Sequence, residues 1–379
     1  MRVLMLAQSP LAGDTRIIRE ASALVGAGWE VDIVGRDVPA GFVPPVGVTV
    51  VSLRVGQGLR PSKPTRPERP VIRAARWLLL PEHRRLVERR WVDQVRALAR
   101  ALPKPAVVHA HDFNTLALGT ELAQAAGAQL VYDSHEFWSG RPRIGRPTPA
   151  RKLLERRQEE SLGRRAAAVL TVGDGVARAL HQRYGWRHVH VVRNTFDALP
   201  RTSSPPTEPS RAIYAGRLAP YRELEVIAAA SGRLGIPVSL VGPADPSWLV
   251  RFDPGQAEIL PPTALDGVDR VLADGGLALV THSDRWLNHR LALPNKLFHA
   301  VRVGVPVVAT DVGELAATVR EHCIGALYRP GDDHDLVRAV QEVRREYTTF
   351  RAAVMRATPA LTWPRDEAVL LRVYAGLLQ

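Results

Sequence analysis

The segment Leu293-Pro294-Asn295-Lys296-Leu297-Phe298-His299 combines a proline that can open a helix with a lysine two residues on. A helix that starts this way presents unpaired backbone N–H groups to an anion, and Lys296 adds a formal charge to them. Gly304 ends the helical stretch, because glycine is favoured just past a helix end, and Val305 to Ala309 then reads as a short buried strand. A second cation stands in Ala215-Gly216-Arg217-Leu218, straight after an apolar run, and Arg222 follows five residues later. Arg217, Arg222 and Lys296 together can neutralise a diphosphate without a metal ion.

The amino-terminal half carries imidazoles and carboxylates instead. Val131-Tyr132-Asp133-Ser134-His135-Glu136-Phe137-Trp138 puts a polar cluster at the carboxyl end of an apolar run, where open α/β sheets bind ligands, and His135 is its best candidate for substrate contact. His109 and His111 alternate along another run, so they share one face of a strand, with Asp112 beside them. Zinc can use such a pair, but the sequence shows no further ligand cluster, and the group reads as the lining of a cleft. Asp333-His334-Asp335 has the spacing of a metal-binding Asp-x-Asp, yet it stands where an aspartate caps the next helix, so no metal is expected. Gly13-Asp14-Thr15-Arg16 follows the first apolar run; Asp14 suits a helix cap or a substrate contact equally. Asn194 comes just after the run Val189 to Val192.

Such residues need strand ends beside helix starts. Apolar runs and helical stretches alternate from the first residue: Val3 to Ala7, a helix over Ile17 to Ala27, then Val31 to Val34. Further strands are expected at Val48 to Leu53, Ala106 to Ala110, Gln129 to Asp133, Ala168 to Val172 and Val189 to Val192. Residues 200–211, rich in proline and serine, cannot continue a helix or fill a core, and they read as a linker. The alternation restarts with strands at Arg211 to Tyr214, Val238 to Val241, Glu258 to Leu260, Leu277 to Val280, Val305 to Ala309 and Ala326 to Tyr328. That order predicts an α/β protein with two parallel sheets. At 379 residues the chain also fits two cores better than one. The expected division is a first domain over 1–198, a linker over 199–211, a second domain over 212–360 and a closing helix over 361–379.

Composition narrows the function further. With Cys323 as its only cysteine, the chain can form no internal disulfide and no cysteine-built metal site, which suits a cytoplasmic protein. No apolar run approaches the ~20 residues that cross a bilayer. The net charge of +13 is concentrated in residues 54–104, with fourteen Lys and Arg against four Asp and Glu. No zinc finger, helix-turn-helix or aromatic RNA platform accompanies it, so nucleic acid is not an expected partner. A helix over residues 68–102, with Trp77 and Trp91 among its arginines, suits peripheral docking on an anionic membrane face; a core-packed helix with a solvated basic face is the simpler alternative.

Taken together these motifs resemble glycosyltransferase family 4, over essentially the whole chain. The resemblance implies the GT-B fold: two Rossmann-like domains facing across a cleft, with the last helix crossing back to the first. It implies a retaining, metal-independent transfer from a nucleoside diphosphate sugar, of UDP or GDP type, to an acceptor that is a small molecule or a lipid-linked glycan, without a cofactor. Gly216, Arg217, Arg222, Asn295, Lys296, Leu297 and His299 then fall on the donor side, although Arg222 stands where the family usually has lysine. Asp14, Arg16, His111, His135 and Asn194 fall on the acceptor side, and His135, Arg217, Arg222 and Lys296 carry the chemistry. One departure concerns two glutamates separated by seven residues in most members, which contact the sugar and the ribose; Leu291 and His299 replace them here. His282, Ser283, Asp284, Asn288 and His289 offer other polar groups nearby. The same loss weighs against a sugar-nucleotide epimerase, and a noncatalytic or membrane-adaptor protein on this fold is the remaining alternative.

Overall fold

The computed structural model describes residues 1–55, 88–141, 149–199 and 207–377. The first domain is a seven-stranded sheet of β1 (Arg2–Leu6), β2 (Glu30–Arg36), β3 (Val48–Leu53), β4 (Val107–His111), β5 (Gln129–Ser134), β6 (Ala168–Thr171) and β7 (Val189–Val191), in the order β3-β2-β1-β4-β5-β6-β7. Every pairing is parallel. Its helices are α1 (Thr15–Gly26), α2 (residues 88–101), α3 (Phe113–Ala126), α4 (Pro149–Gly163) and α5 (Asp174–Tyr184). Helices cover both faces of the sheet, so its central strands are buried and mostly apolar, with His109 and His111 of β4 and Asp133 of β5 among the exceptions, and two apolar clusters result.

The second domain repeats the plan with six strands: β8 (Arg211–Ala215), β9 (Val238–Val241), β10 (Glu258–Leu260), β11 (Gly276–Val280), β12 (Val307–Thr310) and β13 (Gly325–Tyr328), ordered β10-β9-β8-β11-β12-β13. Between them run α6 (Leu224–Ala230), α7 (Pro246–Leu249), α8 (Leu265–Gly275), α9 (Leu287–Leu291), α10 (Asn295–Val303) and α11 (Gly313–His322), and α12 (Asp333–Arg345) and α13 (Tyr347–Ala357) follow. Gly304, at φ 85°, ends α10 in the left-handed conformation that glycine adopts freely. β12 begins at Val307 rather than Val305, since Pro306 has no N–H for the ladder.

The last helix, α14 (Trp363–Gly376), crosses back as expected. Trp363, Leu370, Val373 and Tyr374 join Val3, Met5 and Ile17 in the first domain's core. Asp366 anchors the crossing, accepting from Arg193 Nε at 3.0 Å and from Thr195 Oγ1 at 2.7 Å. Much of the expected linker, residues 200–206, lies outside the described residues, and β8 starts one residue earlier than the expected second domain. Of the expected basic helix, residues 68–87 lie outside them as well. In its described part Trp91 is fully buried, which assigns that indole to the core and not to an interface. Among the described residues no helix is long and apolar enough to cross a membrane.

Candidate active site

Both halves of the site stand at carboxyl ends of strands. In the second domain β8 runs into Gly216 and Arg217, and this turn is held close to its neighbour: Gly216 N–H donates to Val241 O at 2.8 Å. A Cβ on Gly242 would lie 2.1 Å from Gly216 O, so only glycine lets the two turns approach. The turn packs against Lys296, whose ammonium lies 4.8 Å from the centre of the Tyr214 ring. Pro294 is extended and precedes α10, leaving the first amides of that helix without a partner inside it. Arg217 and Arg222 are anchored through their main chains: Tyr214 Oη donates to Arg217 O at 3.0 Å and Thr281 Oγ1 to Arg222 O at 2.6 Å. Neither guanidinium, nor the Lys296 ammonium, has a carboxylate partner among the described residues. Burial and the charge of Arg222 push Lys296 down to about 7. Burial, His289, Lys296 and Arg222 push the adjacent His282 down to about 2, so its imidazole is neutral.

The first-domain half is a network of paired charges. β4 and β5 are in register with His111 opposite Asp133, and α1 brings Arg16 and Glu20 over them. Arg16 grips Asp133 in a fork, Nε to Oδ2 and Nη2 to Oδ1 both at 2.7 Å, and its Nε lies 3.0 Å from Glu20 Oε1. It also donates to Val192 O and, at 3.4 Å, to Asn194 Oδ1. Asp133 Oδ2 receives His135 Nε2 at 2.9 Å and lies 3.1 Å from His111 Nδ1. On its other side His135 Nδ1 stands 3.5 Å from Asp112 Oδ2. Although burial opposes it, the two carboxylates Asp112 and Asp133 raise His135 to about 9. Burial likewise opposes the ionisation of Asp133, but Arg16 and His135 outweigh it and hold the carboxyl well below its usual range. Behind them His109 Nδ1 meets Tyr374 Oη at 2.7 Å, which ties α14 to the network.

Glu20, His109, His111 and Asp133 each bring a ligand atom within 4.8 Å of the others. The sequence reading found no ligands beyond the two histidines because α1 and β5 supply the two carboxylates. Arg16 pairs with both carboxylates, while Glu20 Oε1 and Oε2, His109 Nε2 and His111 Nε2 have no hydrogen-bond partner among the described residues.

Two family models match the chain: "Glycosyl transferase 4-like domain" over residues 14–195 and "Glycosyl transferases group 1" over residues 209–346. The chain is a GT-B glycosyltransferase. Among solved structures, the transferase superposes on sucrose-phosphate synthase from Thermosynechococcus elongatus with a TM-score of 0.75 at 17% identity, covering 100% of this chain and 99% of that one. It is similar to HepE of Anabaena in complex with UDP-glucose, with a TM-score of 0.69 at 14% identity over 99% and 100% of the two chains. A trehalose-6-phosphate protein of E. coli bound with UDP-2-fluoro glucose gives 0.66 at 12% identity over 100% and 99%. Among curated proteins, none matches the transferase by sequence.

Gly216 packs against the Lys296 side chain and Arg222 acts on its charge, Asn295 opens α10, and Leu297 is buried under the helix start with its N–H closed onto Pro294 O at 2.9 Å. His299 turns to α8, with Nδ1 3.2 Å from Asp269 Oδ1 and its ring 4.3 Å from that of Phe196. Asp14 stands at the cap position of α1 but makes no capping bond. Arg16 and His111 are only 4% and 2% exposed, so both stand behind the surface that a ligand can touch. The Asp-x-Asp of the second domain is spent locally: Asp332 caps α12, while Arg233 and Arg338 pair with Asp333 and Asp335. Between the domains Asn288 Nδ2 donates to Glu136 Oε2 at 2.9 Å and Arg178 pairs with Glu314 at 2.7 Å. Next to these contacts lies a cavity of about 680 Å³ whose walls include Phe137 and Arg183 of one domain and Arg290 and Leu291 of the other.

Proposed function

We propose that this glycosyltransferase takes its sugar from a nucleoside diphosphate sugar, retains the configuration at the anomeric carbon, and needs no metal. The observation that carries this reading is the buried Lys296 beside the start of α10, close enough to Arg222 to be depressed by its charge and without an ion-pair partner among the described residues, with Arg217 on the adjoining turn after β8. A leaving diphosphate supplies the missing negative charge, and the helix dipole adds to the attraction. In the reaction the bond between the anomeric carbon and the phosphate oxygen breaks, the acceptor oxygen bonds on the same face, and the departing phosphate oxygen takes the acceptor's proton. His135, held cationic between Asp112 and Asp133, faces the transferred sugar and donates a hydrogen bond to it. Arg16, His111 and Asn194 serve behind it by fixing Asp133, a supporting role that fits the burial of Arg16 and His111 better than direct acceptor contact.

A thermal-shift panel of UDP, GDP, ADP and dTDP, with and without EDTA, tests the reading. A ligand at a hundred times its dissociation constant adds about 2.7 kcal/mol of stability. The expected result is stabilisation by one diphosphate, unchanged by EDTA. A folded protein indifferent to all four supports a noncatalytic role instead, and a shift abolished by EDTA contradicts metal independence.

A further inference from the structure

Asp112 has a backbone that its neighbours do not share. Its φ of 64° and ψ of 162° lie in a region that glycine alone occupies without strain. It occupies the cap position of α3, where an aspartate ordinarily accepts a backbone N–H, yet it makes no such bond. Two aspartates at this position do cap, Asp332 accepting from Asp335 N at 2.9 Å and Asp245 from Ser247 N at 3.1 Å, whereas Asp14 leaves α1 uncapped but has an ordinary negative φ of −93°. Capping therefore does not explain the residue. Its main chain is held from both sides, with Asp112 N donating to Asp133 O at 2.8 Å and Thr115 Oγ1 donating to Asp112 O at 3.1 Å. The side chain is 37% exposed at the end of β4, with one oxygen 3.5 Å from His135 Nδ1. The fold thus maintains a strained conformation whose result is a solvent-facing carboxylate beside the imidazole of the site.

We propose that Asp112 is the acceptor contact of the transferase: its carboxylate receives the hydrogen bond of the attacking hydroxyl and orients it next to His135. This deepens the proposed function and rests on it. A carboxylate accepts hydrogen bonds and repels anions, so the acceptor class we assign is an alcohol or sugar hydroxyl, and an anionic group is disfavoured at that position. Asp112 holds the hydroxyl and takes no proton; the proton passes to the departing phosphate oxygen when the carbon–oxygen bond forms.

The variant Asp112→Gly separates this role from a structural one, because it removes the carboxylate and relieves the backbone together. Three readouts apply: the melting temperature, the stabilisation by the diphosphate that binds the wild type, and UDP-glucose or GDP-mannose hydrolysis, with water as the smallest hydroxyl acceptor. The expected result is a melting temperature equal to or above that of the wild type, retained diphosphate binding, and hydrolysis at least tenfold slower with donor KM unchanged. Asp112→Asn, which keeps the side-chain size and the strain, is expected to slow hydrolysis less than the glycine variant. A lower melting temperature for Asp112→Gly overturns the proposal, since it reveals a structural carboxylate, and so does hydrolysis at the wild-type rate. Wild-type protein that binds no diphosphate sinks the donor reading instead, and the melting temperature alone then decides whether Asp112 is held under strain for a ligand.

Discussion

The two halves of the site handle charge in opposite ways. In the first domain Arg16 is matched by Asp133 and Glu20, and His135 stands between Asp112 and Asp133. Its charges are paired within the protein before any ligand arrives, although Glu20 and the Nε2 atoms of His109 and His111 lack hydrogen-bond partners among the described residues. In the second domain Arg217, Arg222 and Lys296 have no ion-pair partner among the described residues, and burial with the nearby charge of Arg222 lowers Lys296 to about 7. The first half is a finished scaffold, whereas the second is completed by an anion. Substitutions of the buried pairs in the first half should therefore register in stability, and those in the second half in binding.

The largest effect is expected where the scaffold is broken. Asp133→Ala leaves Arg16 buried with one partner fewer and removes a support of His135; removing one member of such a pair costs about 3–5 kcal/mol. Urea unfolding measures this, and a loss below ~1 kcal/mol erases the contrast between the halves. Arg222→Ala inverts the pattern. Losing a charged contact to the diphosphate is expected to weaken diphosphate affinity roughly 30- to 300-fold, or about 2–3.5 kcal/mol, at unchanged or slightly raised apo stability. Calorimetric titration of the variant with the diphosphate that binds the wild type checks it, and a fall in apo stability equal to that of Asp133→Ala breaks the comparison.

Titration sharpens the same distinction. Because Lys296 sits near 7 and must be charged to hold a diphosphate, affinity is expected to fall roughly 20-fold between pH 7.5 and 9. The first half responds through stability. His135 is raised to about 9, so its contribution is fully present below the unfolded value near 6.5 and is lost as pH rises through 9. Urea unfolding of wild type and His135→Gln across that window should converge at its alkaline end. The smallest effect is expected from Arg178→Ala at the domain boundary. Arg178 is mostly exposed, and such ion pairs contribute about 0–1 kcal/mol, so melting should shift by little more than a degree or two.

Much of the fold was legible because a parallel α/β sheet writes itself as short apolar runs separated by helical stretches. Each expected strand exists, with ends displaced by a residue or two, as at Val307 where Pro306 delays pairing. The cations of the second half were legible for a related reason: a glycine–arginine after a strand and a lysine at a helix start are local patterns. The first half was only half visible. His109, His111 and His135 stand out by type, but Glu20 lies in an amphipathic helix where a glutamate reads as surface, and it is buried because Arg16 one turn earlier pairs with it. The positive φ of Asp112 leaves no trace in the sequence at all. Trp91 left two readings open, a membrane interface or a core-packed helix, and its burial favours the second for that indole. Long-range pairing and backbone strain depend on the assembled sheet, so sequence pattern alone cannot report them.

The most direct test of a charge-deficient half awaiting a diphosphate is calorimetric titration of UDP and GDP into wild type and Lys296→Met. It is run with EDTA at pH 7.5 in two buffers of different ionisation enthalpy. The account predicts that one nucleotide binds the wild type with uptake of about three-quarters of a proton, as a group titrating near 7 becomes fully charged. It predicts that Lys296→Met binds more weakly and takes up none. Equal affinity and equal proton uptake in the two proteins, or no binding of either nucleotide, contradicts it.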